Sequence, residues 1–222
     1  MTTNKLDFYE IENIEDCISE IEKMYNFKFE DNELENVKTF EEFCDLIIEK
    51  INLKNVESCT SQQAFYKLRN SLTETKLIEK GNLKTETELK KIFPRKNRKV
   101  SIEKVENDLN VKLNILKAPD FVTMSLLIIG FVSFILLFFL WKFALIGLSI
   151  SVFGFYLCKW FGNELSVKTV KDLVEKIVAE NYLAIRSEKN TINKTELKKI
   201  LTNWISENSF IEKEKLINAT FD

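Results

Sequence analysis

The sequence predicts an all-α protein built around a transmembrane helical hairpin, and three observations predict it. Residues 121–161 read FVTMSLLIIGFVSFILLFFLWKFALIGLSISVFGFYLCKWF, in which Lys142 is the sole charge before the Lys159 flank. At about 1.5 Å per residue this stretch makes a helix near 60 Å long, about twice the roughly 30 Å hydrocarbon core of a bilayer, so two spans fit it and one does not. Outside it, apolar residues recur at three- and four-residue steps, which marks amphipathic helices. At the head of those segments Thr or Asn stands three positions ahead of Glu, Gln or Asp, the spacing of amino-terminal helix caps.

The hairpin is expected over residues 119–161, with spans of about 121–140 and 143–161. Its turn is placed at Trp141 and Lys142, where an indole and a snorkelling ammonium suit the headgroup interface; Lys159 and Trp160 form the matching pair at the other interface. Gly130, Gly147 and Gly154 lie inside the stretch and suit close approach of the two spans. Lys104, Lys112 and Lys117 precede it and Lys168, Lys171 and Lys176 follow it, against Lys142 alone at the turn. The positive-inside rule therefore puts both termini in the cytoplasm of a multi-pass inner-membrane protein.

Composition narrows the rest. The formal charge of -2 gives no field for nucleic acid. The acidic start MTTNKLDFYE lacks the basic and apolar regions of a secretory signal, so the hairpin itself directs insertion. Cys17, Cys44, Cys59 and Cys158 stand far apart and histidine is absent, which leaves no metal-ligand pattern and no histidine-activated nucleophile. No Gly-rich phosphate loop occurs. Catalytic, cofactor and metal residues are accordingly expected to be none.

In chain order, Ile14, Cys17, Ile18, Ile21, Met24 and Tyr25 share one helix face. Thr39 and Glu42 cap a second helix bearing Phe40, Phe43, Cys44, Ile47, Ile48 and Ile51 inward. Thr60 and Gln63 stand at cap spacing before Ala64, Phe65, Leu68 and Leu72. Ser101 is the expected cap of a helix carrying Ile102, Val105 and Leu109. Past the hairpin, Thr169 and Asp172 head a helix with Val170, Leu173, Val174, Ile177 and Val178 inward. Asn193 and Glu196 head the last, with Leu197, Ile200, Leu201, Trp204 and Ile205.

The stretch IEDCISEIEKMYNFKFEDNELENVKTFEEFCDLIIEKI resembles the second to fourth helices of an acyl carrier protein, over about forty residues of apolar and acidic pattern. VSIEKVENDLNVKLNI and VKTVKDLVEKIVAEN are similar to the same pieces, split by the hairpin, and NELENVKTFEEFCDLIIEKI and NELSVKTVKDLVEKIVAEN match each other with one inserted residue. The resemblance implies two small acyl-carrier-like units. Residues 60–118 and 162–182 make one, interrupted by the membrane hairpin. Residues 1–53 make the other, completed by the carboxyl-terminal helix of 191–222 packing on them. Where the family attaches phosphopantetheine to a serine, this chain has Glu10, Ile11 and Glu12 in one unit and Pro94, Arg95 and Lys96 in the other. An active carrier would need another serine.

The run from Lys90 to Lys99 supplies Lys90, Lys91, Arg95, Lys96, Arg98 and Lys99 as candidate contacts for anionic lipid, at about 1 kcal/mol each near a charged surface; a solvated loop explains the run equally well. The expected function is a membrane-anchored, non-catalytic scaffold or adaptor that docks a cytoplasmic protein at the inner membrane. In carriers the second helix is what enzymes recognise, so the resemblance implies a partner in lipid or fatty-acid metabolism. The alternative is a self-assembling two-span protein that forms an oligomer or pore.

Overall fold

The computed structural model describes residues 4–79 and 81–221. The elements run β1 (Asn4–Lys5), α1 (Phe8–Tyr25), α2 (Phe40–Ile51), β2 (Lys54–Asn55), α3 (Thr60–Glu74), α4 (Leu89–Ile92), α5 (Arg98–Leu109), β3 (Leu116–Lys117), α6 (Asp120–Leu136), α7 (Trp141–Phe161), β4 (Glu164–Leu165), α8 (Val170–Ile185), β5 (Thr191–Ile192), α9 (Lys194–Ser209), α10 (Lys213–Leu216) and β6 (Ala219–Thr220). Helices dominate, as expected. The two-residue strands, too short for any periodicity to reveal, pair β1 with β6 and β2 with β5 in parallel and β3 with β4 antiparallel.

The chain divides into two compact units, Met1–Leu68 with Val174–Asp222, and Arg69–Leu173. In the first, α9 packs against α1 and α2, and β1 beside β6 ties the beginning of the chain to its end. Its core is Ile14, Ile21, Phe40, Phe43, Ile47, Leu197, Leu201, Trp204 and Ile205. α1 starts well before Ile14 because Asp7 and Glu10 form a capping box. In the second unit Leu89, Ile92, Phe93, Ile102, Val105, Leu113, Ile115, Val170 and Leu173 are buried.

The same local hydrogen bonds occur in both units. α1 ends on Asn26 at φ 55°, and the Glu22 carbonyl and carboxylate accept from Phe27 N–H at 3.1 Å and Phe29 N–H at 2.9 Å. α5 ends on Asn110 at φ 54°, and the Glu106 carbonyl and carboxylate accept from Val111 N–H at 3.2 Å and Leu113 N–H at 2.8 Å. Asparagine holds both left-handed positions because its short polar side chain tolerates them. The capping box of Thr39 and Glu42 on α2 is matched by Thr169 and Asp172 on α8. Phe221 N–H donates to the Lys38 carbonyl as Leu89 N–H donates to the Lys168 carbonyl, both at 2.9 Å.

Two expected caps differ. Thr60 and Gln63 do not form a capping box; the Glu196 carboxylate instead accepts from Thr60 N–H at 2.9 Å and Ser61 N–H at 3.2 Å, and Gln63 turns to Ser187 N–H. Ser101 does not cap α5, which begins three residues earlier at Arg98 after Asn97, leaving Ser101 buried in the first turn. The expected turn of the hairpin also moves. α6 ends at Leu136 and α7 begins at Trp141, so Leu137–Leu140 make the turn, and Trp141 and Lys142 open the second helix. Packing of small residues between the two helices sets this register, and the position of the lone charge does not.

Candidate functional site

α6 and α7 lie against each other along a seam of small residues. Ala144, Ser133 and Ser151 are buried there, and Ser151 Oγ donates to the Leu126 carbonyl at 2.9 Å. Gly147 lies so close to Ser133 that a Cβ would meet its Oγ at 2.0 Å; Gly130 and Gly154 likewise face Ser151 and Leu126. The small residues let two helical backbones approach without a polar core.

The outward faces are apolar and uncovered. Phe131, Phe134, Ile146, Phe153, Tyr156 and Trp160 are all more than half exposed, and the tip presents Phe138 and Phe139, each 79% exposed. An uncovered apolar surface of this extent, with no polar face, is unsuited to water and calls for lipid or protein against it. The turn supplies its own backbone partners, with Phe139 N–H to the Leu136 carbonyl at 3.1 Å and Leu140 N–H to the same carbonyl at 2.7 Å, as a lipid-facing segment requires. Lys142 Nζ lies 5.7 Å from the Trp141 ring centroid. Among the described residues, Trp141–Cys158 is the one helical stretch long and apolar enough to cross a membrane; α6, at 17 residues and about 25 Å, is apolar but shorter.

The root of the hairpin is clasped. β3 and β4 pair Leu116 with Leu165 and Lys117 with Glu164, and Ser166 N–H donates to the Ile115 carbonyl at 2.9 Å. Gly162 has to be glycine here, since a Cβ would come within 2.6 Å of the Lys117 carbonyl carbon, a backbone atom that cannot step aside. Lys117 pairs with Asp120 at 2.7 Å beside the start of α6.

The six basic residues singled out by the sequence have different fates. Arg98 is not a headgroup contact. It is 6% exposed, its Nε donates to the Phe93 carbonyl at 3.0 Å, and its Nη1 donates to the Asn163 carbonyl and lies 3.5 Å from Glu164. Arg95 pairs with Glu164 at 2.9 Å, and its carbonyl accepts from Asn163 Nδ2 at 3.0 Å. Lys90 and Lys91 share Glu88, at 3.0 and 3.4 Å. Lys99 Nζ donates to the Trp160 carbonyl at 2.9 Å and stands 5.9 Å from the Phe161 centroid. Lys96 is exposed and has no ion pair among the described residues. Trp160 is 67% exposed beside this group, while the Lys159 side chain, expected at the same interface, lies outside the described residues.

Elsewhere the buried polar groups hold the fold together. Arg186, fully buried, was not singled out by sequence. It donates to Thr60 Oγ1 at 2.6 Å, Ser58 Oγ at 2.8 Å and Thr191 Oγ1 at 3.2 Å, with Glu196 at 3.9 Å and the Tyr182 ring at 5.6 Å. Burial pushes the Cys17 thiol up to about 11 and the Cys44 thiol up to about 12, so both stay protonated. The first unit holds a small apolar cavity of about 120 Å³ against Ile11, Ile14, Ile18, Leu34 and Phe43, with Glu15 as its one carboxylate. Among the described residues no group of carboxylates and cysteines is placed to hold a metal ion. Compared with protein-family models, curated proteins and solved structures, the chain matches none of them.

Proposed function

We propose that this chain is a non-catalytic scaffold anchored in the inner membrane by the α6–α7 hairpin, with two cytoplasmic acyl-carrier-like helical units that dock a protein partner. The observation that carries the reading is the hairpin itself: an apolar helix pair, uncovered on its outward faces, rooted in a polar helical unit by the β3–β4 clasp. In this reading both spans cross the bilayer, the shorter α6 completing its span with the apolar turn residues Leu137–Leu140. The hydrogen bonds common to the two units support a duplicated carrier-like module. Neither unit offers a serine at the carrier position, so the module keeps the shape without the cofactor chemistry.

The docking face is the outer side of α1. There Phe8 and Tyr9 are exposed, edge to face at 5.9 Å, beside exposed Glu12, Glu15, Asp16 and Glu20. An aromatic pair followed along the helix by exposed carboxylates suits a partner surface that joins an apolar patch to a basic one. By the carrier resemblance, that partner is an enzyme of lipid or fatty-acid metabolism.

The test is crosslinking and capture of the tagged full-length protein from its native membranes, beside the Phe8→Ala/Tyr9→Ala variant and a hairpin-only control. Enzymes of lipid metabolism recovered with the full chain and lost with the variant support docking. Recovery of the chain alone, equally well by the hairpin, replaces this reading with self-assembly.

A further inference from the structure

We propose that the root of the hairpin is a binding site for the phosphate of an anionic phospholipid, formed by Lys96 and Lys99 beside Trp160. The inference rests on the hairpin lying in a bilayer and adds to it a preference among lipids. Trp160 and Phe161 are the last apolar residues of α7, and the chain turns polar at Asn163 and Glu164. In a membrane that level is the headgroup region. Lys99 is held there by its bond to the Trp160 carbonyl and its place beside the Phe161 ring.

The basic segment cannot swing away from this level. Arg98 fastens it to the Asn163 carbonyl, and Asn163 Nδ2 in turn grips the Arg95 carbonyl. Charge then decides which residues are available. Glu164 pairs with Arg95, and Lys90 and Lys91 share Glu88, so each of these three cations stands at a carboxylate. Among the described residues Lys96 has no ion-pair partner, and Lys99 spends one donor on a neutral carbonyl. One ammonium held at an exposed indole, with a second on the same fastened segment, attracts a lipid phosphate of net charge -1 more than a zwitterionic headgroup, whose own ammonium offsets its phosphate. The site therefore consists of an aromatic and two lysines, the lysines being a third of the six-residue patch that the sequence alone suggests.

The test uses the full-length protein in nanodiscs of phosphatidylcholine carrying a trace of spin-labelled phosphatidylglycerol or spin-labelled phosphatidylcholine, and reads the motionally restricted fraction of each label. At about 1 kcal/mol per lysine, the expected preference for phosphatidylglycerol is roughly thirty-fold. It should fall as salt is raised and vanish in Lys96→Gln/Lys99→Gln, whose incorporation into discs is unchanged. The salt series needs no variant, so it decides the matter even if the double variant misfolds. Incorporation with equal restriction of both labels overturns the headgroup site and leaves the anchor standing. A preference that persists unchanged in high salt or in the double variant overturns the assignment to these lysines. Failure to enter any disc overturns the anchor and the site together.

Discussion

Arg98 offers the sharpest separation between what its sequence context suggests and what its surroundings do. In the sequence it is one cation among six; in the structure its guanidinium bonds the carbonyls of Phe93 and Asn163, the first of these in a residue with no exposed surface. Replacing Arg98 with Gln removes a charged donor from two carbonyls, each of which costs about 1–3 kcal/mol when left unpaired and buried. Asn163 is only partly buried and Glu164 keeps Arg95, so the expected loss is about 2–4 kcal/mol. For a chain of this size each kcal/mol moves the melting temperature by about 2–4 °C, which gives a drop of roughly 5–15 °C. Lys96→Gln, an exposed change, should stay within about 0.5 kcal/mol. Thermal melting of the full-length protein in nanodiscs, followed by circular dichroism, measures both. Equal melting of Arg98→Gln and the parent, or equal loss in the two variants, would refute the clamp.

Three further outcomes follow from named contacts. Gly162→Ala forces a methyl onto the Lys117 backbone and should weaken the β3–β4 clasp by about 1–3 kcal/mol, read as roughly 5- to 150-fold faster hydrogen exchange at the Ser166 amide; unchanged protection there would count against the clasp. Burial works to raise the Asp172 carboxyl, but the Thr169 N–H and hydroxyl and the Lys168 N–H outweigh it and hold the group below the 3.8 of a free aspartate. A folded value below the unfolded one means that its stabilisation is present above pH 3.8 and lost as pH falls through the lower folded value, so Asp172→Asn should flatten that acid limb of the melting profile. Finally, exposed Cys59 should react with a maleimide at neutral pH, while Cys17 and Cys44, buried with raised pKa, should stay unmodified until the protein unfolds; early modification of Cys44 would contradict its burial between α2 and α9.

Much of the helical framework is legible in the sequence because its signals are local. The spacing Thr39-x-x-Glu42 and the apolar face that follows specify α2, and both appear in the structure. Asp7-x-x-Glu10 carried the same signal for α1 and passes unnoticed behind an acidic start. Where the local signal fails, a distant residue competes for the same groups. Thr60 and Gln63 have the cap spacing, yet Glu196, far along the chain, reaches their helix first, with Arg186 buried beside it. No window of sequence contains both partners.

The hairpin shows the same division. Its apolarity is plain from composition, but the turn lies at Leu137–Leu140 because Gly147 has to face Ser133 and Gly130 has to face Ser151, a matter of register between two helices. At its root, the basic residues are legible as charge. Which of them are occupied depends on Glu88, Glu164 and the carbonyls of Phe93 and Asn163, and that arrangement exists only in the folded chain.

These details give the root of the hairpin a definite geometry. A clasp of two short strands, a glycine with backbone against it and a buried guanidinium fix the hairpin to its helical unit.

The most direct measurement is labelling with a membrane-impermeant maleimide in sealed vesicles of both orientations, using the native Cys59 and, in a second protein, Leu140→Cys at the hairpin tip. The account predicts that Cys59 reacts only in inside-out vesicles and the tip cysteine only in right-side-out ones, with the protein in the membrane fraction throughout. Labelling of both positions from the same side, or recovery of the protein in the soluble fraction, would contradict it.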